Sequence, residues 1–174
     1  DDLVIYEPPR VGSGFRFGDS LNPTDQRELA RFTFPRQRKS PHLCLSDFWR
    51  PVAGGACDVA AFHIVTAGQR VSEVAREWFA RNDYQQYLFL HGLGVETAEA
   101  LAEYMHKQIR MELGVAATDE REINKLFQQG YQGSRYSFGY PACPRLEDQS
   151  IVMKLLEPER IGITLSEEFQ LDPE

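Results

Sequence analysis

Residues 84–113 read YQQYLFLHGLGVETAEALAEYMHKQIRMEL, and their second half carries the clearest helical pattern in the chain. Apolar side chains recur there at helical spacing, at Ala98, Leu101, Ala102, Met105, Ile109 and Leu113. Gly114 follows, in the position that a C-cap glycine takes at the end of a helix. The segment predicts one long amphipathic helix.

The opposite face of this helix is polar. We define the polar stripe as the four residues that follow one another at steps of four, three and four: Glu99, Glu103, His106 and Arg110. Taken alone, the two glutamates are typical of a solvated helix face, and Glu103 with Lys107 is an ordinary i,i+4 pair. They gain importance if this face meets a loop that contains Arg135, because paired carboxylates there offset the charge of a cationic ligand.

Shorter elements surround the long helix. The pattern predicts strands at residues 3–6, 28–34, 58–67 and 161–165, and helices at residues 71–80, from Thr118-Asp119 to about Gln129, and at residues 147–156. A Pro/Gly-rich loop over residues 8–18 and a turn at residues 22–24 separate the first two strands. Both alternating sets of residues 58–67 are apolar, which predicts a central strand covered on both faces. The elements are mixed without regular βαβ alternation. We therefore predict an α+β fold, with a twisted, mainly antiparallel sheet and flanking helices.

Composition excludes several classes of protein. The 174 residues are 42% hydrophobic and 26% charged, as in one ordinary globular domain over residues 1–174. No run of 18 apolar residues is present, so no membrane span is expected. The net charge of −7 repels phosphate backbones and argues against a nucleic-acid partner. The first residue is Asp rather than Met, which raises the possibility that the chain is a piece of a longer one.

The cysteines and histidines do not predict a metal centre. Cys44, Cys57 and Cys143 share no metal-ligand spacing, and their odd number suits reduced thiols in a cytoplasmic protein. The four histidines have no HxH or HxxxH spacing, and His63 fits a satisfied core residue. No basic segment followed by an apolar one is visible, so no export signal is expected.

The candidate binding segment is the loop at residues 131–144, YQGSRYSFGYPACP. Arg135 offers a planar fork for a carboxylate, and Gly139 permits close approach of a ligand to the main chain. Pro141 and Pro144 fix the peptide groups between them. Two alternatives stay open on these residues alone: an ordered surface loop with aromatic side chains on the core, or a ligand site. Cys143 has no nearby histidine in sequence, which favours a spectator thiol over a nucleophile.

The segment from Ser134 to Pro144 resembles the Arg-x-x-x-Gly-Tyr-Pro-Ala-Cys-Pro signature of the activation domain of cobalamin-dependent methionine synthase. Residues 42–48, HLCLSDF, are similar to its Cys-Leu-Ala-Asp-Phe element. Residues 98–106, AEALAEYMH, are similar to its Ala-Glu-Ala-Phe-Ala-Glu-Tyr-Leu-His helix, and residues 163–167 resemble the strand that follows. The likeness covers most of residues 1–174, as a single domain truncated at both ends relative to the family.

The resemblance implies a site for S-adenosylmethionine (AdoMet). The signature arginine, here Arg135, then binds the methionine carboxylate. The implied contacts besides it are Glu99, Gly139, Tyr140 and Ala142, with no catalytic side chain and no metal ligand. The family has a further glutamate six residues before the arginine, and Gln129 replaces it here.

The implied function is reductive methylation. The domain binds AdoMet and presents its methyl group to cob(I)alamin, which reactivates methionine synthase, a methyltransferase of methionine biosynthesis. Cobalamin is then bound mainly by a neighbouring module, flavodoxin or another donor supplies the electron, and zinc belongs to a module outside this chain. Two alternatives are a stand-alone AdoMet sensor without cobalamin chemistry and a thiol enzyme that uses Cys143.

Overall fold

The computed structural model describes residues 1–7 and 26–173. Its strands are β1 (Asp2–Tyr6), β2 (Glu28–Thr33), β3 (Thr164–Leu165) and β4 (Leu171–Asp172). Its helices are α1 (Gln69–Ala80), α2 (Tyr84–Glu112), α3 (Ile123–Phe127) and α4 (Gln149–Leu156). Short 3₁₀ helices occupy Leu45–Phe48, Val52–Gly54, Ala116–Thr118, Leu146–Asp148 and Pro158–Ile161. The predicted mixture of helices and antiparallel strands is confirmed.

The chain forms two compact units, of which the first contains Asp1–Ala61 and Tyr136–Leu155. In this unit β1 and β2 pair antiparallel, with Leu3 opposite Phe32. Phe32 is completely buried, and its ring stacks 5.8 Å from the ring of Phe138 and 6.0 Å from that of Phe34. Phe32 thereby connects the strand pair to the segment that follows residue 135.

The second unit contains Phe62–Arg135 and Leu156–Glu174. Helices α1 and α2 pack against each other, and the approach is close at Gly94, where an added Cβ would lie 3.0 Å from Cγ1 of Val71. Strands β3 and β4 form a second antiparallel pair in this unit. Ile163, directly before β3, is completely buried.

The long helix α2 ends as the sequence predicts. The amide of Gly114, at φ +74°, donates to the carbonyl of Met111 at 3.1 Å, and the amide of Val115 donates to the carbonyl of Arg110 at 3.0 Å. These two bonds form a Schellman motif, in which glycine supplies the left-handed conformation. Although α2 is 29 residues long, neither it nor another helix in the described ranges is apolar over a length that could cross a membrane.

Two local predictions are wrong. Residues 58–67 form no strand, although most of them are partly buried. An apolar pattern does not by itself supply a neighbouring strand for the backbone hydrogen bonds. The helix expected directly after Thr118-Asp119 begins only at Ile123. The loop predicted at residues 8–18 and the turn at residues 22–24 lie outside the described residues.

Replacing Phe32 tests the core of the first unit. Phe32→Ala removes a fully buried ring, and we expect it to lower the free energy of unfolding by about 3–5 kcal/mol. Leu29→Ala, on the same strand but at an exposed position, is the matched control and should change stability by less than about 1 kcal/mol. Urea denaturation followed by circular dichroism measures both. Equal losses in the two variants would contradict this assignment of the core.

Candidate functional site

Arg135 lies in the second unit, at the end of the segment of residues 131–135, which we call the 131–135 loop. Its Nη2 donates to Oε1 of Glu103 at 2.6 Å and to Oε2 of Glu99 at 3.3 Å. The arginine side chain is 22% exposed, whereas those of Glu99 and Glu103 are 63% and 62% exposed. Burial alone would lower the pKa of Arg135, but the hydrogen bonds to Glu103 and Glu99 raise it above its ordinary value. The guanidinium therefore stays charged and held against α2.

The rest of the 131–135 loop is fastened to the same helix. Nε2 of His106 donates to the carbonyl of Gly133 at 2.7 Å, and Nε of Arg110 donates to the carbonyl of Gln132 at 2.8 Å. Both side chains are buried. All four members of the polar stripe thus contact this one loop, in the order in which the helix presents them.

Arg110 has two further partners. Its Nη2 forms an ion pair with Asp119, and the centre of its guanidinium lies 4.4 Å from the ring centroid of Tyr131. The ring of His106 meets the same tyrosine edge-on, with centroids 5.5 Å apart. A buried guanidinium is tolerated only when it is paired and hydrogen-bonded, and Nε and Nη2 of Arg110 both have such partners.

His63 also belongs to the surroundings of Arg135. Burial lowers the pKa of His63, and the positive charge of Arg135 lowers it further. Its ring is therefore neutral near pH 7. The sequence places His63 in a core strand, whereas the structure places it in an irregular segment whose electrostatic neighbours are Arg135, His106 and Glu103.

The signature turn, residues 139–143, lies in the first unit. The amide of Gly139 donates to the carbonyl of Cys143 at 2.9 Å, and the amide of Cys143 donates to the carbonyl of Tyr140 at 3.0 Å. Among the described residues, nothing hydrogen-bonds to the amide or the carbonyl of Ala142. The turn thus holds one peptide segment rigidly and leaves its polar groups available.

Gly139 is required in this turn for two reasons. Its φ is +91°, and an added Cβ would lie 3.0 Å from Cδ2 of Leu146. The next residue, Tyr140, is 67% exposed. The backbone therefore turns tightly over Leu146 and directs a large aromatic ring into solvent.

Cys143 is buried, and its thiol donates to the carbonyl of Ser137 at 3.0 Å. Burial raises the pKa of this thiol, and the negative charge of Asp148 raises it further. A thiol of this kind is a poor nucleophile, because the thiolate is the reactive form. In the described ranges no group of three His, Cys, Asp or Glu side chains could hold a metal ion.

The structure brings together the sequence-predicted residues in two groups. Arg135 and Glu99 are bonded in the second unit, and Gly139, Tyr140 and Ala142 share one turn in the first unit. Sequence reasoning missed the anchoring of the loop by His106 and Arg110, and the role of Asp119 as the partner of Arg110. The signal for His106 and Arg110 was their place on the polar stripe. For Asp119 the sequence predicted the start of a helix and gave no signal of an ion pair.

These features define a class of protein. The structure is similar to that of the MetH reactivation domain bound to AdoHcy, with a TM-score of 0.74 and 28% sequence identity. The match covers 86% of this chain and 48% of that chain. The chain thus has the fold of a reactivation domain.

Sequence comparisons identify the family. The chain is 44% identical to the methionine synthase of Mycobacterium tuberculosis (strain ATCC 25618 / H37Rv) and 46% identical to that of Mycobacterium leprae (strain TN), over 184 residues in each case. These matches cover 100% of this chain and 14% of each relative. The family model "Vitamin B12 dependent methionine synthase, activation domain" matches residues 15–174. The chain belongs to this family, which confirms the resemblance.

The anchoring of the 131–135 loop is tested with Arg110→Met. This change leaves Asp119 without its partner and the carbonyl of Gln132 without its donor, so we expect the free energy of unfolding to fall by about 3 kcal/mol. Hydrogen exchange at the amides of residues 131–135 should also become faster. Arg76→Met, at an exposed position of α1, is the control and should change neither. A loss no larger than in the control would show that Arg110 does not anchor the loop.

Proposed function

We propose that this chain binds AdoMet and presents its methyl group to cob(I)alamin, for the reductive methylation that reactivates cobalamin-dependent methionine synthase in methionine biosynthesis. Membership of the activation-domain family supports this proposal, as does the AdoHcy bound in the related structure. The observation that carries it is the state of Arg135. Its guanidinium is charged, held in place by the stripe, and bonded through Nη2 alone among the described residues.

The proposed roles of the residues follow from their chemistry. Arg135 binds the ligand carboxylate, because the guanidinium fork matches a carboxylate and its Nε and Nη1 make no hydrogen bond within the described residues. Glu99 lies beside it and offsets the positive charge of the ammonium and sulfonium groups. Ala142 offers main-chain groups that bond to nothing among the described residues, for the polar edge of the ligand. Gly139 permits the backbone to approach, and the exposed ring of Tyr140 contacts the ligand.

The cobalt chemistry lies outside the proposed work of this chain. We place cobalamin in a neighbouring module, where it supplies the nucleophile, and zinc in a module outside this chain. The part of the described residues is to bind AdoMet, orient its methyl group and keep water from the reacting atoms. No side-chain acid or base is assigned, and the isolated chain is not proposed to be a catalyst by itself.

The proposed setting is a methyltransferase of the cytoplasm. The three cysteines of this chain are free thiols, which suits a reducing compartment. The proposed partners are the cobalamin-binding module of methionine synthase and an electron donor, flavodoxin or another. Residues 1–174 are proposed to form one domain of that assembly.

Replacing Arg135 tests ligand binding. We expect Arg135→Ala to weaken AdoMet binding by about 2–3 kcal/mol, because a charge-assisted carboxylate pair is lost. Isothermal titration calorimetry on the 174-residue chain measures the affinity. The control is Arg76→Ala, which removes an exposed arginine of α1 and should leave the affinity unchanged. An affinity in Arg135→Ala equal to that of the control would contradict the proposed carboxylate site.

Methyl transfer separates the proposed function from its alternatives. When the chain is mixed with a cobalamin module, a reductant and AdoMet labelled in the methyl group, we expect label to appear in the cobalamin fraction. An AdoMet sensor would bind the ligand without this transfer. Cys143→Ser should retain most of the transfer, since the thiol is buried and its pKa is raised. Loss of transfer in a folded Cys143→Ser variant would instead favour a thiol enzyme.

A further inference from the structure

We propose that Glu103 is a specificity-determining residue, which makes the Arg135 site prefer a ligand of net positive charge. For the proposed ligand, this means that AdoMet, a sulfonium, binds more tightly than S-adenosylhomocysteine (AdoHcy), the thioether that remains after the methyl group has left. This inference rests on the proposed function, because it concerns the selectivity of the same site. It assigns a role to a carboxylate that the family resemblance leaves without one.

The first support is the geometry around one nitrogen. Nη2 of Arg135 donates to both glutamates, and the bond to Glu103 is the shorter, at 2.6 Å against 3.3 Å for Glu99. Nε and Nη1 bond to nothing within the described residues. A ligand carboxylate can therefore use these donors while Glu103 stays in place.

The second support is the count of charges. One guanidinium faces two carboxylates, so the cluster of Arg135, Glu99 and Glu103 carries a net charge of −1. The nearby ring of His63 is neutral near pH 7, and Arg110 is already paired with Asp119. No other charged side chain of the described residues bonds to this cluster.

An amino-acid ligand brings one carboxylate and one ammonium, which cancel. Its third polar group therefore decides the balance. A sulfonium adds one positive charge and neutralises the cluster, whereas a thioether adds none and leaves the excess negative charge. Without Glu103, the remaining pair of Arg135 and Glu99 would be neutral before any ligand arrived, and the discrimination would fall.

The solvent exposure of the glutamates limits the size of the effect. Both carboxylates are more than half exposed, so water and salt screen their field. We expect a preference of only a few-fold from this one charge. Its dependence on ionic strength distinguishes it from a preference that arises from shape.

The test is a pair of titrations on the 174-residue chain, one with AdoMet and one with S-adenosylhomocysteine. In Glu103→Gln we expect the affinity for AdoMet to fall about two- to fivefold, while that for S-adenosylhomocysteine changes by less than about twofold. The ratio of the two affinities should therefore fall. In the wild type, the ratio should also shrink as sodium chloride is raised from about 0.05 to about 0.5 M.

Two variants serve as controls. Glu103→Asp keeps the charge and should keep most of the preference. Glu112→Gln removes a carboxylate from the same helix about 14 Å further along its axis, and it should leave the ratio unchanged.

An unchanged ratio of the two affinities in Glu103→Gln would overturn this inference, whether neither affinity changes or both fall equally. An equal fall would mean that Glu103 only supports Arg135. Both outcomes leave AdoMet binding, and with it the proposed function, intact. Failure of the wild-type chain to bind either ligand would overturn the proposed function and this inference together.

Discussion

The buried guanidinium of Arg110 is the constraint on which the arrangement of the second unit depends. A permanent positive charge inside a protein must have all its partners close by, and Arg110 finds them in the carboxylate of Asp119, the carbonyl of Gln132 and the ring of Tyr131. Two segments that are distant in sequence are thereby fixed against α2. One turn earlier in α2, His106 likewise hydrogen-bonds to the carbonyl of Gly133, so the 131–135 loop is held along the helix.

A helix is well suited to this task because its pitch sets the spacing of its side chains. The steps of four, three and four keep the polar stripe on one side of α2, and the 131–135 loop runs along it. Arg135 and the two glutamates are therefore positioned by one rigid element. The relative places of the three charges depend on helix geometry and not on the independent order of a surface loop.

The sequence predicts the regular elements of this fold well. The helical spacing and Gly114 locate α2 and its C-terminal end, and the strands predicted at residues 3–6 and 28–34 correspond to β1 and β2. The segment at residues 58–67 shows the limit of this reasoning. Its apolar residues indicate burial, but pairing depends on a strand edge elsewhere in the chain, and local pattern carries no information about that edge.

For the candidate site, the sequence predicted which residues take part but not which residues they contact. The signature turn and Arg135 could be selected from glycine, proline and arginine chemistry, and the conditional role of the glutamates depended on whether α2 meets the loop. That meeting is decided by Arg110 and His106, which look like ordinary surface residues in an amphipathic pattern. Burial of a charged residue is a tertiary property, because it appears only when Asp119 and Tyr131 arrive from another segment.

The burial of Cys143 has a consequence for survival under oxidative stress. Oxidants attack the thiolate, and this thiol is enclosed, hydrogen-bonded to the carbonyl of Ser137 and kept protonated by its raised pKa. A domain proposed to repair a cofactor that has lost an electron must work when oxidants are abundant. Cys143 ends the signature turn, and its burial keeps this oxidisable sulfur away from oxidants in solution.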